Sequence, residues 1–135
     1  MREILFRGKR LLTGEWVYGY YIHQTLFYGD DVDRHWIMEE GEFDSDYYEA
    51  KAIKPETLGQ FTGLVDVNGK KIFEGDILDS PKYIVTYCAD VNESCGMSAG
   101  WYVQRNDFEG WLRLENRENH IILGNEFDNP ELMGK

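Results

Sequence analysis

The chain has 135 residues, the usual length of one domain, and 25 acidic against 14 basic residues give it a net charge of −11. This balance disfavours direct binding of nucleic acid, because phosphate recognition depends on clustered Lys and Arg. No apolar run approaches the roughly 20 residues that cross a bilayer, and the start lacks the apolar stretch of a signal peptide. We therefore expect a cytoplasmic protein with no membrane partner.

The aromatic content favours a β-rich class. Twenty Phe, Tyr and Trp residues supply large side chains that suit pleated, half-buried surfaces. Cys88 and Cys95 are the only cysteines. In a cytoplasmic chain we expect them to be reduced rather than joined in a disulfide or bound to a metal.

The chain opens with a predicted hairpin of residues 4–7 and 16–22, joined by a polar, basic loop with a turn signal at Thr13-Gly14. Both faces of the second strand carry bulky side chains, so burial on both sides is expected. Gly19 lies in mid-strand and indicates a bulge or the close approach of another backbone.

Residues 25–50 form an acidic excursion with weak periodicity. From Asp30 to Glu49 there are nine acids and one arginine, a net charge of −8. Within it, residues 34–38 are predicted to form one short strand. Pro55 is placed to begin a single helical turn that leads into the next strand.

A second hairpin is predicted for residues 60–66 and 71–78. Asn68-Gly69 between two apolar runs is a strong hairpin signal, typical of a type I′ turn with positive φ at both central residues. Gly75-Asp76 then redirects the chain, and Ile77 begins the first of five short strands that continue at 83–88, 100–105, 110–114 and 120–124. Five evenly spaced strands without helices predict an SH3-like small β-barrel. Asn125 and Pro130 indicate a final helical turn.

The expected fold is thus mainly β, within a single protein of residues 1–135. Residues 1–59 form an N-terminal β-hairpin region with the acidic excursion 25–50. Residues 60–135 form the second hairpin, the SH3-like barrel and the C-terminal helical turn. Short helical turns complete the fold.

One ordered set of motifs resembles a known family. Gly59-Gln60-Phe61-Thr62-Gly63-Leu64, followed by Asn68-Gly69-Lys70-Lys71-Ile72-Phe73-Glu74-Gly75-Asp76-Ile77, is similar to the core signature of the YopX family of phage and prophage proteins. Residues 4–19 and 124–132 extend the likeness. The resemblance implies a phage or prophage origin, a bacterial cytoplasm as the setting and an SH3-like barrel in the C-terminal part. It implies no activity, since the family has no established molecular function.

Candidate catalytic groups have simpler interpretations. His23 ends a predicted strand and His120 begins one, as ordinary strand-end residues do, although both share with His35 the capacity for acid–base chemistry. Cys88 on an apolar strand is a small core residue. Glu74-Gly75-Asp76 is explained by turn geometry. We predict a protein that is not an enzyme, with no catalytic, cofactor or metal site.

The acidic excursion is the predicted interaction surface. Its aromatics can fill pockets on a partner while its acids select that partner by charge. The predicted partner-binding residues are Asp30, Asp31, Asp33, Trp36, Glu39, Glu40, Tyr47 and Tyr48.

The favoured function is a non-enzymatic phage accessory protein that binds another protein or assembles into a homo-oligomer. One alternative is a nucleic-acid mimic, in which the acids of residues 30–49 imitate phosphates and inhibit a host DNA-binding protein. Another is a metal-dependent hydrolase built on Asp30, Asp33 and His35.

Overall fold

A computed structural model describes residues 3–26, 32–39, 51–79, 83–88, 100–105, 111–114 and 120–133. Over these ranges the chain forms ten β-strands: β1 (Phe6–Lys9), β2 (Trp16–Leu26), β3 (Val32–Met38), β4 (Gly59–Val65), β5 (Lys71–Phe73), β6 (Asp76–Leu78), β7 (Tyr83–Cys88), β8 (Gly100–Arg105), β9 (Trp111–Arg113) and β10 (Ile122–Asn125). Two 3-10 helices, Pro55–Thr57 and Pro130–Met133, are the predicted helical turns. The mainly β class is confirmed.

The strands form two antiparallel sheets, with the orders β3-β2-β1-β4-β5 and β10-β6-β7-β8-β9. The chain divides into two compact units, Met1–Phe61 and Thr62–Lys135. The division falls inside β4.

The first unit is organised by the long strand β2. Its first half pairs with β1, and its second half pairs with β3 from Tyr20 opposite Met38 to Leu26 opposite Val32. The predicted short strand at 34–38 is therefore present and longer than expected. Among the described residues of this unit, one buried cluster consists of Val17, Ile37 and Ile53, and Phe6, Tyr21 and Leu58 pack against it.

Gly19 is required because another backbone passes directly over it. A Cβ atom at Gly19 would lie far inside contact distance of the Met38 carbonyl oxygen and 3.0 Å from the Glu39 Cα. Both neighbours are main-chain atoms, which cannot move aside as a flexible side chain can. The close approach predicted from this mid-strand glycine is confirmed.

We expect Gly19→Ala to destabilise the protein by about 1–3 kcal/mol, because the added methyl group forces the end of β3 away from β2. The free energy of unfolding in urea measures this loss. Tyr20→Thr is the control, since it changes the next, exposed residue and keeps a strand-favouring side chain. Equal losses in the two variants would show that the backbone approach is unimportant.

Arg10 joins β3 to the segment that begins at Lys51. Its buried guanidinium donates hydrogen bonds from Nη1 to the carbonyl oxygens of Ile37 at 3.1 Å and Lys51 at 2.6 Å. The returning chain is also fixed by the backbone, since Leu11 N–H donates to the Ala52 carbonyl and Ile53 N–H donates to the His35 carbonyl. The positions where the chain leaves and rejoins the first sheet are thus set by buried bonds.

The second unit begins with the β4–β5 hairpin around Asn68-Gly69. Gly69 has a φ of +80°, but Asn68 is not among the described residues with positive φ, so the predicted type I′ turn is wrong. Gly69 N–H instead donates to the Asp66 carbonyl, and the Asp66 side chain supplies a further acceptor for the turn. The loop is a type I turn followed by a glycine in the left-handed region.

Asp66 is the buried carboxylate that organises this turn. Oδ1 accepts hydrogen bonds from the N–H groups of Asn68 at 2.8 Å and Lys70 at 2.9 Å, and Oδ2 accepts one from Ile122 N–H at 3.3 Å. Burial by itself raises the pKa of Asp66, but these N–H donors and the charge of Lys70 outweigh it and lower the pKa. The turn and the start of β10 are therefore fastened to one side chain.

The five strands expected after Gly75 are all present in the second sheet. A core of buried aliphatic residues lies within this unit: Ile72, Leu78, Val85, Val103 and Leu114. β10 pairs with β6, so the last strand returns to the first. The sheet is not closed in the described residues, and the SH3-like barrel stays a prediction.

Two further features of this unit concern predicted residues. Cys88 is disulfide-bonded, so the expectation of a reduced thiol is wrong for Cys88, and Cys95 lies outside the described residues. His120 is buried, and its Nδ1 lies 2.9 Å from the Asp79 Oδ2, which ties it to the end of β6. The described ranges contain no helix with the length and apolar character that a membrane crossing requires.

We expect Asp66→Asn to lower the free energy of unfolding at pH 7 by about 1–3 kcal/mol, because an amide cannot accept all three N–H bonds. Because the pKa of Asp66 is lowered in the folded protein, its carboxylate stabilises the fold fully at pH values above the ordinary pKa of 3.8. This stabilisation is lost as the pH falls through the lower pKa of the folded state. Urea unfolding at pH 7 and pH 3 should therefore show a smaller difference between the two proteins at pH 3. The exposed Glu56→Gln serves as the control, and an Asp66→Asn deficit that does not change with pH would contradict the assignment.

Candidate functional site

The paired strands β2 and β3 carry the candidate site, because their register gives this ribbon two chemically different faces. His23 lies opposite His35, and Ile22 lies opposite Trp36. Successive side chains of a strand point to opposite faces. On β3, the core residue Ile37 therefore shares one face with His35 and Asp33. Trp36 and Met38 share the other face.

The first face holds a compact polar group that we call the histidine cluster, consisting of Tyr21, His23, Asp33 and His35. The rings of His23 and His35 stack with centroids 4.3 Å apart and planes inclined by 9°. The His23 Nε2 lies 3.4 Å from the Asp33 Oδ1. The Tyr21 hydroxyl and the His35 Nδ1 form a hydrogen bond of 2.6 Å.

The surroundings within the histidine cluster change the pKa of Tyr21. Burial raises the pKa of its hydroxyl, and the negative charge of Asp33 raises it further. The histidines and Asp33 offer ligand atoms that all lie within 4.8 Å of one another. His23 and Asp33 are both largely exposed, so the cluster is open to solutes.

The second face is an aromatic face, which we define as the following outward-directed residues of β2 and β3: Trp16, Tyr18, Tyr20, Ile22, Trp36 and Met38. Tyr20 is 60% exposed and Tyr18 is 46% exposed, although both lie in the middle of a regular sheet. At one end the Arg7 Cζ lies 4.6 Å and the Lys9 Nζ lies 5.4 Å from the centroid of the Trp16 ring. These cation–π contacts hold basic side chains against the aromatic face.

The structure separates the predicted partner-binding residues. Asp33 is exposed on β3, and Glu39 is exposed just after it. Trp36 is half-buried on β3 and points to the opposite face from Asp33. The other predicted partner-binding residues lie outside the described residues: Asp30, Asp31, Glu40, Tyr47 and Tyr48.

The sequence missed two parts of this region. Burial on both faces of β2 was expected, which is wrong for Tyr18 and Tyr20, because a pattern of bulky residues does not reveal which sheet face is left uncovered. The hydrolase alternative grouped Asp33 and His35 with Asp30, which lies outside the described residues, whereas the structure brings them to His23. Only the strand register places His23 there, and no motif signals it.

The fold and the surface define a small, mainly antiparallel β protein with an exposed aromatic sheet face. A family model described as YopX protein matches residues 5–134. The chain therefore belongs to the YopX family, and the resemblance of its motifs is confirmed.

A solved structure is similar to nearly the whole chain. It is the crystal structure of protein EF1440 from Enterococcus faecalis, which is 20% identical, with 98% of this chain and 99% of that chain covered and a TM-score of 0.40. No curated protein matches the chain significantly.

We expect Tyr21→Phe to remove the alkaline sensitivity that Tyr21 contributes. Because the pKa of Tyr21 is raised in the folded protein, its stabilisation is complete below the ordinary value of 10.0 and lost as the pH rises through the folded value. Urea unfolding between about pH 9 and 11 should show a shallower decline in the variant than in the wild type. Tyr20→Phe, which removes an exposed hydroxyl from the adjacent residue, should decline as the wild type does. If Tyr21→Phe also declines like the wild type, the hydroxyl is not coupled to the cluster.

Proposed function

We propose that this protein is a non-enzymatic accessory protein of a phage or prophage, which acts in the bacterial cytoplasm by binding a protein partner through its aromatic face. Membership of the YopX family supports the phage setting. The observation that carries the proposal is the pair Tyr18 and Tyr20, exposed in the middle of a regular strand.

The composition of the aromatic face suits a protein interface. Tyrosine and tryptophan are enriched at binding hot spots, because they bury a large area and lose little conformational freedom. Tyr20 pairs across the strands with the half-buried Met38, whereas Arg7, the residue opposite Tyr18, is buried. Met is also enriched at interfaces relative to the rest of a protein surface. Met38 can therefore share a contact patch with Tyr20.

The net charge of the chain bears on the chemistry of the partner. The chain carries a net charge of −11, and Asp33 is exposed on the face of β3 opposite to the aromatic face. An acidic surface speeds encounter with a basic partner and repels acidic ones. We propose a basic partner with an apolar pocket for Tyr20.

Self-assembly would use the same residues. Closed homodimers form when one surface patch meets its own copy, and an aromatic patch can be self-complementary. In the described residues β3 is the outer strand of its sheet, but Ile53 N–H already bonds to the His35 carbonyl. Pairing of β3 edges is therefore blocked at that point, and contact between faces is the favoured route to a homo-oligomer.

The test compares the wild type with the double variant Tyr18→Thr, Tyr20→Thr, since threonine keeps a strand-favouring side chain. Light scattering after size exclusion measures self-assembly, and capture from a lysate of the host that carries the prophage identifies a partner for titration with purified protein. We expect the double variant to weaken the partner contact or the oligomer by about 10-fold or more. Tyr87→Thr is the matched control, because Tyr87 is an equally exposed strand tyrosine in the second unit.

The proposal would be contradicted by a wild-type protein that is monomeric and captures no partner, or by a partner that binds the double variant equally well.

The combined variant Asp33→Asn, Glu39→Gln distinguishes the nucleic-acid mimic from an interface anchored by tyrosines. If the mimic interpretation is right, binding falls steeply with salt and with these neutral variants, whereas an interface anchored by tyrosines changes only a few-fold.

A further inference from the structure

The histidine cluster is placed by backbone register rather than by mobile side chains. His23 and His35 are directly paired residues of two antiparallel strands, and Asp33 lies two residues before His35 on the same face of β3. Directly opposite residues in such a pair have Cβ atoms about 5 Å apart. The three donor groups thus converge wherever β2 and β3 are paired.

The donor set matches the chemistry of one class of ion. Imidazole nitrogens suit zinc and other first-row transition ions, whereas calcium and magnesium take oxygen ligands. Two histidines with one carboxylate are three ligands of a tetrahedral zinc site whose fourth position is left to water. The ligand atoms of the cluster all lie within 4.8 Å of one another.

Binding requires a small contraction of the cluster. With metal bonds of about 2.1 Å, the ligand atoms of a tetrahedral site lie roughly 3.4 Å apart. His23 and Asp33 can supply the movement, since their side chains are 46% and 63% exposed and the final torsions of both residue types are broad. The ring of His23 must tilt relative to that of His35, because the lone pairs of imidazole lie in the ring plane.

Tyr21 provides the outer support that metal-bound histidines usually have. Its hydroxyl oxygen lies 2.6 Å from the His35 Nδ1 and can accept a hydrogen bond from that nitrogen when it is protonated. This tautomer directs the Nε2 lone pair of His35 to a ligand. The stacking of the Tyr21 and His35 rings, inclined by 10°, restricts the ring further.

We propose that His23, Asp33 and His35 form a site for Zn²⁺ on the β2–β3 ribbon, with Tyr21 as the positioning residue of His35. The bound ion would join the two strands beyond the core of the first unit and so stabilise the ribbon that carries the aromatic face. The site is independent of partner binding, and the two can be tested separately.

The experiment is a titration of the full chain, carrying no histidine tag, with Zn²⁺ in isothermal calorimetry. We expect one equivalent to bind with a Kd below about 100 μM, and we expect Zn²⁺ to raise the temperature of thermal unfolding. His23→Gln, Asp33→Asn and His35→Gln should each weaken binding at least about 10-fold, and Tyr21→Phe should weaken it several-fold. Co²⁺ in place of Zn²⁺ should develop the intense visible absorption of a tetrahedral site.

Glu39→Gln is the matched control for Asp33→Asn, because it neutralises an exposed carboxylate at the end of the same strand. It should leave the affinity unchanged. NMR spectra of the wild type should show the ring signals of His23 and His35, but not those of His120, shifting on addition of Zn²⁺, which tests the site without any variant. The absence of saturable binding, or binding that the cluster variants leave intact, would overturn the proposal.

Discussion

Each unit of this protein depends on a buried charged side chain that bonds to the backbone. In the first unit the guanidinium of Arg10 donates hydrogen bonds to the carbonyl groups of Ile37 and Lys51. In the second unit the carboxylate of Asp66 accepts hydrogen bonds from three backbone N–H groups. Several of these bonds join segments that lie far apart in the sequence, and they add to the apolar packing of the described residues. A hydrogen bond to a charged group contributes about 1.5–3 kcal/mol, which is large on the scale of a small protein's stability.

The alternation of side chains along β2 and β3 decides which candidate functional residues share a face of the sheet. The register that brings His23 beside His35 also sends Trp36 to the other face, next to Ile22. Because side chains alternate with a period of two, a shift of one residue would exchange the polar cluster and the aromatic face. Gly19 helps to exclude such a shift, since only a glycine accommodates the backbone of Met38 above it. The two candidate surfaces are consequences of one pairing.

Several details could be predicted from local chemistry, and others could not. The close approach at Gly19 and the helical turn at Pro55 follow from what those residues permit in their own backbone. The hairpin at Asn68-Gly69 was also correctly located, but its turn type was wrong, because the Asp66 side chain supplies bonds that a dipeptide signal does not include. The exposure of Tyr18 and Tyr20 depends on which distant segments approach these residues.

The sequence by itself determined the β class, the order of the strands and membership of the YopX family, because alternation, turn residues and motif order are local properties. It also predicts an interaction surface that includes Asp33 and Trp36. Only the tertiary structure decided that these two residues face apart, that His23 joins Asp33 and His35, and that Tyr18 and Tyr20 stay exposed. The physical reason is that strand register and the covering of a sheet face are set by contacts between residues distant in the chain.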